Sequence, residues 1–244
     1  YNDYKNKGML AEINMDDTFE QKLNNIQMNL QAKINLTNKV QLDDINLAAG
    51  VDIAYWSENG ADFGVCCIEV VDFSTKEVVE HVEYSGGIEF PYISGYLAFR
   101  ELPLILKAAG KLKTAPNLFM FDGNGYLHSR HMGIATHASF YLQKPTIGVA
   151  KTYLKIGNVD FLMPENKFGA FTDIVIDGEV YGRALRTREN VKPVFVSCGN
   201  WLDLDSATLI TLLLVKNDSR LPITTRYADL ATHEARKRLQ QKGN

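Results

Sequence analysis

The sequence predicts an α/β fold in which helices flank one mixed β-sheet. Two features of the chain support this prediction. Three segments rich in Val and Ile follow one another across short turns, as in an antiparallel meander, and the later segments alternate between strand-like and helix-like patterns. The chain has 244 residues, the length of one large domain, so we expect residues 1–244 to fold as a single domain.

The first predicted element is an N-terminal helix at about residues 14–39. This segment is polar and rich in Gln and Asn, with Leu and Ile spaced as on an amphipathic helix. The core of the fold then spans about residues 47–242. It opens with three predicted strands, at 47–56, 62–73 and 77–87, and a Ser-Thr-Lys turn joins the second strand to the third.

A helix and a short buried strand are predicted next. Leu, Ile and Ala recur at helical spacing in residues 91–112, and Ser94 is a suitable N-cap. Pro103 should bend or break this helix, because proline has no N–H to donate. The apolar segment "NLFMFDG" (117–123) predicts a buried strand that ends at Asp122.

The second half of the chain continues the alternation of strands and helices. We predict, in order, a helix at 133–144, a strand at 145–151, a hairpin with its turn at 176–180, a strand at 193–199, and helices at 203–216 and 224–242. Aspartates open the helix at 203–216 and are suited to cap it.

Composition and charge are those of a globular protein without a global basic field. Hydrophobic residues make up 45% of the chain and charged residues 23%, and the net charge is −3. A local basic face beside an acidic metal site remains compatible with nucleic-acid chemistry. No apolar run reaches the roughly 18 residues that a membrane span needs. No signal-peptide pattern opens the chain, and because it begins with Tyr1 we expect a trimmed or shortened N-terminus.

The three cysteines fit neither a disulfide framework nor a zinc pattern. Cys66 and Cys67 are adjacent on a predicted strand, so their side chains should point to opposite faces, and Cys198 is far away in the sequence. We therefore expect reduced core thiols in a protein of the cytosol, the nucleus or the nucleolus.

Four carboxylates stand in apolar surroundings, where an unpaired charge is costly. They are Asp52, Glu101, Asp122 and Asp229. Taken singly, a strand-end aspartate is usually a turn former and a helical acid usually lies on a solvated face. As a set at the ends of strands and on flanking helices, they would repel one another, and a bound divalent cation would relieve that repulsion. Oxygen ligands of this kind suit Mg²⁺, with Mn²⁺ as a substitute.

The order of these acids resembles that of ribonuclease H-like nucleases, which use carboxylate-held metals to hydrolyse phosphodiesters. Three motifs are more specific: "PYISGYLAFRE", "FDGNGYLHSRHMGIATH" and "PTIGVAK" resemble the endonuclease V family, which recognises inosine. The resemblance runs from Ala48 to Lys151 and continues more weakly to "TRYAD", which ends at Asp229. "DGNG" and Ser94 are more similar to the animal branch of the family.

The resemblance implies roles for the polar residues. Asp52 and Asp122 would be the main metal ligands, completed by Glu101 and Asp229. Lys151, otherwise an ordinary strand-end lysine, would lie by the scissile phosphate and offset its developing charge. His128 and His137 would lie near the phosphates or the metal, although the helical position of His137 is also typical of a packing residue. Zinc ligation by the histidines is not expected, since no cysteine or further histidine has suitable spacing.

The resemblance also implies a wedge and a pocket for an extruded base. Tyr92, stiffened by Pro91, would replace the extruded base in the stack. The alternative is a tyrosine that packs on the helix start as a hydrophobic staple. The remaining members of the predicted recognition set are Gly95, Leu97, Gly123, Gly125 and Gly133. The glycines would let backbone groups approach the base closely. "DGNG" lacks the Gly-Lys-Ser/Thr ending of a nucleotide P-loop, which excludes that alternative.

The predicted activity is that of a magnesium-dependent endonuclease, monomeric and without a membrane partner. By the resemblance, it would cut the second phosphodiester on the 3′ side of inosine and leave 5′-phosphate and 3′-hydroxyl ends. Water would be the nucleophile, because no serine or cysteine stands beside a suitable base. Animal members favour inosine in RNA and bacterial members deoxyinosine in DNA, so we expect single-stranded RNA as the preferred substrate, with DNA also cut. The alternatives are a repair nuclease acting mainly on DNA, another nuclease of the same fold, or a non-cutting protein that binds inosine in RNA.

Overall fold

The structure, a computed structural model, describes residues 18–216 and 218–242 and confirms the predicted mixed α/β fold. The strands are β1 (Leu47–Glu58), β2 (Ala61–Asp72), β3 (Val78–Gly87), β4 (Leu118–Phe121), β5 (Thr146–Ala150), β6 (Phe171–Ile176), β7 (Glu179–Leu185) and β8 (Val194–Asn200). The helices are α1 (Phe19–Gln31), α2 (Leu97–Ala109), α3 (Ile134–Leu142), α4 (Leu204–Leu213) and α5 (Ile223–Lys242). In the described part of the chain, no helix combines the length and apolar character that crossing a bilayer requires.

All eight strands form one sheet in the order β3-β2-β1-β4-β5-β8-β7-β6. The predicted meander is the antiparallel edge β3-β2-β1. Strands β1, β4 and β5 are mutually parallel neighbours at the centre, and β8 returns antiparallel to β5. Because the carboxyl ends of parallel strands meet at one edge of a sheet, the residues at the ends of β4 and β5 and the middle of the longer β1 come together.

Helices cover both faces of the sheet. Residues Ala49 and Val51 of β1 share a buried cluster with α2 and α3, whereas Ala48 shares one with α4 and the start of α5. Ala54 packs with Ala235 of α5. Odd-numbered residues of β1 therefore face α2 and even-numbered residues face α5, as the two-residue period of a strand requires. Asp52 consequently lies on the α5 face.

The N-terminal helix is shorter than the predicted 14–39. It begins after Thr18, whose side chain accepts a hydrogen bond from the Gln21 backbone while the Gln21 side chain reaches back, a complete capping box. It ends at Gln31. Beyond it, the Asn35 side chain accepts hydrogen bonds from Thr37, which favours a turn over a helix. Residues 14–17 lie outside the described residues.

Helix α2 also differs from its prediction. It starts at Leu97 after Tyr96, with no side-chain cap, so Ser94 is not the N-cap. Pro103 lies inside the helix without ending it. The neighbouring side chains Leu102 and Leu104 are buried against the sheet, and this packing stabilises the helix despite the missing backbone hydrogen bond.

The burial of the cysteines and the position of the hairpin turn agree with their predictions. All three cysteines are free and buried. Cys66 packs in the cluster with α2 and Cys67 in the cluster with α5, so they point to opposite faces. The β6–β7 hairpin turns at Asp177 and Gly178, which both have positive φ, the conformation of the tight turn that suits twisted strands.

Candidate active site

Three of the four predicted acids converge at the centre of the sheet. Asp52 comes from β1, Asp122 from the residue after β4, and Asp229 from α5, and one carboxylate oxygen of each lies within 4.8 Å of the others. The Asp122 backbone N–H donates to the Val51 carbonyl at 3.2 Å, which continues the parallel pairing of β1 and β4 and places the two carboxylates side by side.

Lys151 lies between two of these carboxylates. It follows β5, the parallel neighbour of β4, and its Nζ is 2.5 Å from Asp122 Oδ2 and 2.7 Å from Asp229 Oδ1. Burial alone would lower the pKa of Lys151, but its hydrogen bonds to the two aspartates raise that pKa above its usual value. The ammonium is therefore held in its charged form against the carboxylates.

The site is electrostatically suited to a divalent cation. Burial, followed by the charge of Asp122, raises the pKa of Asp52 to about 6, and burial also raises the pKa of Asp122. The Thr232 hydroxyl donates to Asp52 Oδ2 at 2.9 Å and fixes its orientation. A cluster of partly desolvated carboxylate oxygens is the donor set that hard cations such as Mg²⁺ prefer, so the residues present fit such an ion.

Glu101 approaches the cluster from the opposite face of the sheet. It is on α2, outside the group of three mutually close carboxylates, and accepts a hydrogen bond from the Tyr55 hydroxyl. Burial is the main cause that raises the pKa of Glu101 to about 7, and the charges of Asp52 and Asp122 add to it. The charge of Glu101 therefore interacts with those of both aspartates, although Glu101 does not belong to the group of three close carboxylates.

The two histidines predicted near the phosphates lie in different surroundings. His128 is buried beside the cavity described below, and its Nδ1 accepts a hydrogen bond from the Arg130 backbone at 3.1 Å. His137 is fully buried between α2 and α3, with its ring 4.8 Å from that of Phe99 in an edge-to-face contact. Within residues 18–216 and 218–242, neither ring nitrogen of His137 has a hydrogen-bond partner, so its position is that of a packing residue.

Four residues of the site were not predicted from the sequence. They are Thr232, Tyr55, His233 and Arg220. His233 Nε2 lies 3.6 Å from Asp229 Oδ1, one helical turn further along α5, and Arg220 donates a hydrogen bond to the Lys151 carbonyl at 3.1 Å. His233 carries a signal that sequence reasoning overlooked: an i,i+4 spacing from Asp229 puts both side chains on one helix face. The others are brought in by the tertiary fold.

A cavity of about 320 Å³ adjoins the carboxylates, since its lining residue Gly123 directly follows Asp122. It contains five residues of the predicted recognition set: Tyr92, Gly95, Leu97, Gly123 and Gly133. Tyr92 is 72% exposed at this cavity, which excludes the hydrophobic staple and leaves its ring free to contact a ligand. The cavity combines apolar walls with backbone groups, as expected of a pocket for a planar base.

Two predicted recognition residues, Pro91 and Gly125, do not line the cavity. Pro91 precedes Tyr92 on the exposed loop. A Cβ atom at Gly125 would lie only 2.2 Å from the Cys198 carbonyl oxygen, so this glycine lets the loop after β4 pack on β8. The absence of a side chain at Gly125 thus allows the loop to pack on β8 and does not enlarge the cavity.

The loop that carries Tyr92 is tied to two other segments through the Gly95 carbonyl. This oxygen accepts hydrogen bonds from Arg130 at 2.7 Å and from Gln27 of α1 at 3.2 Å. Arg130 Nε also donates to Gln27 Oε1 at 2.6 Å, and its guanidinium lies 4.3 Å from the centre of the Tyr96 ring. Gly95 has φ +81°, which favours glycine at this position.

Comparison with known proteins identifies the relatives of this chain. The sequence model of the family described as Endonuclease V matches residues 28–230. Endonuclease V from Bacillus subtilis is 61% identical over 217 residues, which cover 89% of this chain and 91% of the relative. The crystal structure of endonuclease V from Bacillus subtilis superposes with a TM-score of 0.90 at 58% identity, covering 94% of this chain and 97% of that one.

An animal protein is a more distant neighbour. Endonuclease V from Ciona intestinalis, crystallised with a 24mer DNA containing an inosine followed by a ribo-adenosine, has a TM-score of 0.80 and 27% identity, covering 91% of this chain and 100% of that one. The resemblance to the animal branch is therefore not confirmed, since the identity to the bacterial relative is more than twice as high. Its basis was narrow: "DGNG" and Ser94 span only a few positions.

Proposed function

Because this chain belongs to the endonuclease V family of nucleases, we propose that it hydrolyses the second phosphodiester on the 3′ side of inosine in a metal-dependent reaction that leaves 5′-phosphate and 3′-hydroxyl ends. One observation carries the proposal. The cluster of Asp52, Asp122 and Asp229 adjoins a base-sized cavity whose mouth bears the exposed ring of Tyr92. This arrangement supports the proposal, because cleavage chemistry and base inspection would then have neighbouring sites in one chain.

We propose Mg²⁺ as the metal, with Mn²⁺ as a substitute. Asp52, Asp122 and Asp229 would hold it, and Glu101 would complete the set from the α2 face. When bound, the ion supplies water activation and stabilisation of charge on the phosphate oxygens. Thr232 keeps the Asp52 carboxylate oriented toward its neighbours, so the ligand set is organised before the ion arrives.

Lys151 would act on the phosphate. In the absence of substrate its ammonium neutralises Asp122 and Asp229. A metal ion bound to those carboxylates would free the ammonium. The ammonium could then donate to an oxygen of the scissile phosphate, where negative charge develops during attack by water. A lysine amine is ordinarily protonated at neutral pH, and the negative charges of the aspartates and the phosphate would keep Lys151 in that form.

The base would be read in the cavity. Tyr92 would stack against the neighbouring bases in place of the extruded hypoxanthine. Hypoxanthine differs from adenine by a carbonyl at C6 and a proton on N1, and backbone N–H and C=O groups can distinguish these edges. Gly123 lines the cavity and would offer such backbone groups, whereas the Gly95 carbonyl is already bound by Arg130 and Gln27.

The sugar of the substrate has two candidates. Single-stranded RNA is the substrate expected from the resemblance of "DGNG" and Ser94 to the animal branch. Deoxyinosine in DNA is favoured by the higher identity to the Bacillus subtilis relative. We propose that both are cut, and that a 2′-hydroxyl near the scissile bond decides the relative rates.

Cleavage of matched oligonucleotides tests the proposal. Single-stranded RNA, DNA and chimeras with one 2′-hydroxyl restored near the cut are each made with inosine or with adenosine at the target position. With Mg²⁺ we expect one cut, one linkage beyond the bond adjoining inosine, and no cut of the adenosine strands. Asp52→Ala is the blank, and EDTA should abolish cleavage.

The outcomes separate the alternatives. Binding of the inosine strand without product in Mg²⁺ and in Mn²⁺ would establish a non-cutting binding protein. Equal cleavage of inosine and adenosine strands would indicate another nuclease of this fold. Faster cleavage of DNA than of RNA would overturn the preference for RNA expected from the sequence and leave the nuclease assignment intact.

A further inference from the structure

A second cluster of metal-binding side chains lies on the antiparallel edge of the sheet, apart from the three aspartates. We propose that Cys67, His81 and Glu83 form a Zn²⁺ site, with Glu69 orienting the imidazole of His81. The proposed site is independent of the nuclease assignment.

Strand pairing places the four side chains together. Cys67 of β2 is paired with Glu83 of β3, and Glu69 is paired with His81, so the four residues occupy neighbouring positions on the face covered by α5. The Sγ of Cys67, a ring nitrogen of His81 and a carboxylate oxygen of Glu83 lie within 4.8 Å of one another. His81 Nε2 and Glu83 Oε2 are 3.7 Å apart. Two ligand atoms on one tetrahedral zinc lie roughly 3.4 Å apart, given bonds of about 2.0–2.2 Å, so only small side-chain movements are needed.

The imidazole is already oriented as a metal ligand. Its Nδ1 lies 2.6 Å from Glu69 Oε1, and this carboxylate is buried while the ring is half-exposed. A histidine that binds a metal through one nitrogen almost always donates the other N–H to a carboxylate or a carbonyl, which fixes the tautomer and the ring plane. Glu69 therefore occupies Nδ1 and leaves Nε2, which lies 3.7 Å from Glu83 Oε2, for the metal.

The donor set selects the metal. A thiolate, an imidazole and a carboxylate together suit Zn²⁺, whereas Mg²⁺ prefers oxygen alone. Three protein ligands leave the fourth tetrahedral position to water. Binding breaks the S–H bond of Cys67, whose proton passes to solvent, and forms the zinc–thiolate bond.

Entry from solvent is open on the β3 side. The side chains of His81 and Glu83 are 42% and 37% exposed. Arg238 of α5 now contacts both oxygens of Glu83, and its side chain is 48% exposed. An exposed ion pair of this kind contributes little to stability, so a divalent cation can displace the guanidinium at low cost. The carboxylate would exchange one cation for another.

Cobalt substitution gives a spectroscopic test on the full chain. Co²⁺ at a tetrahedral site with a thiolate ligand gives a thiolate-to-cobalt charge-transfer band and intense visible bands, whereas an all-oxygen site gives neither. We expect these bands to saturate at one equivalent and to disappear when Zn²⁺ is added. Absence of the charge-transfer band from the wild-type protein would refute the site.

Variants identify the ligands. Cys67→Ala should abolish the charge-transfer band, and Cys66→Ala, a substitution of the adjacent buried cysteine on the opposite face, should retain it. His81→Gln, at a half-exposed position, should lose tetrahedral binding in a folded protein. Glu69→Gln should weaken Zn²⁺ affinity about 10- to 100-fold through the orientation of His81. A band that survives Cys67→Ala, or Zn²⁺ affinity unchanged in His81→Gln, would contradict the proposal.

Discussion

At the scale of single residues, Tyr92 is unusual because a large aromatic side chain is left 72% exposed beside a cavity. Because the ring lies at the cavity, a bound ligand could cover it and gain the contact area of an aromatic side chain. The preceding Pro91 restricts the backbone and limits the entropy lost when the ring is fixed on a substrate.

Tyr92→Ala should weaken binding of a single-stranded inosine oligonucleotide by about 1–3 kcal/mol, or roughly 5- to 150-fold in Kd, because one base–aromatic stack is lost. Tyr92→Phe keeps the ring and should bind like the wild type. Fluorescence anisotropy with a labelled oligonucleotide measures both. The thermal midpoint of unfolding should be the same in all three proteins. If Tyr92→Ala binds the oligonucleotide as tightly as the wild type, Tyr92 does not stack on the bases.

Whereas the Tyr92 ring is exposed, the Lys151 ammonium is held between the carboxylates of Asp122 and Asp229. Lys151→Met keeps the length of the side chain and removes the charge, so we expect the single-turnover rate of cleavage to fall about 100- to 1,000-fold. Lys167→Met, an exposed surface substitution, is the matched control. A Lys151→Met enzyme with a normal rate at saturating Mg²⁺ would assign the lysine to charge balance alone.

The sequence reveals some site residues and hides others for a physical reason. Asp52 and Asp122 can be predicted because a carboxylate inside or at the end of an apolar strand is locally anomalous. Thr232 and Tyr55 are ordinary residues in their local sequence, and they reach their carboxylates from 180 and 46 residues away. Only the packing of α5 and α2 on opposite faces of β1 brings them to the site.

At the scale of elements, α1 supports the loop of Tyr92. Gln27 is fully buried although polar, and both ends of its amide are used, one on the Gly95 carbonyl and one on Arg130. A buried amide with both groups satisfied holds its partners in one geometry. The orientation of the loop that carries Tyr92 thus depends on α1, which contributes no residue to the carboxylate cluster.

Gln27→Leu should destabilise the protein by about 1–3 kcal/mol, because Arg130 and the Gly95 carbonyl lose a buried partner. We expect faster amide hydrogen exchange in residues 91–96 and weaker binding of the inosine strand. Asn29→Leu, on the exposed side of the same helix, should change neither. Unaltered exchange in the loop would show that α1 does not position it.

Element boundaries were harder to predict than element types. Every predicted strand of the meander is present, because alternation and Val/Ile content reflect half-buried or buried strands directly. The end of α1 was misplaced because Asn35 competes for local hydrogen bonds. Pro103 did not break α2, since the burial of Leu102 and Leu104 is a tertiary effect that local rules do not include.

At the scale of the whole molecule, buried histidines make the fold sensitive to acid. Burial lowers the pKa of His137 to about 3, and burial together with Arg130 lowers that of His128 to about 4. At pH values between these pKa values and about 6.5, the two imidazoles are protonated in the unfolded chain and neutral in the native state. Stability from these residues is therefore present above pH 6.5 and lost as pH falls. The raised pKa values of Asp52 and Glu101 act in the opposite direction.

His137→Leu, of similar volume, isolates one of these effects. Between pH 7 and pH 5 the free energy of unfolding of the wild type should fall by about 2 kcal/mol because of His137. The variant has no imidazole at this position, so this decrease should be absent. Urea unfolding at pH 7 and pH 5 should show a decline about 2 kcal/mol smaller in the variant. Parallel pH profiles for the two proteins would mean that His137 keeps an ordinary pKa.

The placement of Lys151 also bears on how the chain accommodates three clustered carboxylates when it folds. The three aspartates lie in the first, middle and last parts of the chain, so they meet only as the fold closes. In the folded chain Lys151 lies between Asp122 and Asp229 and acts as an internal counterion. The folded chain thus supplies, from its own sequence, a positive charge that offsets two of the three clustered aspartates.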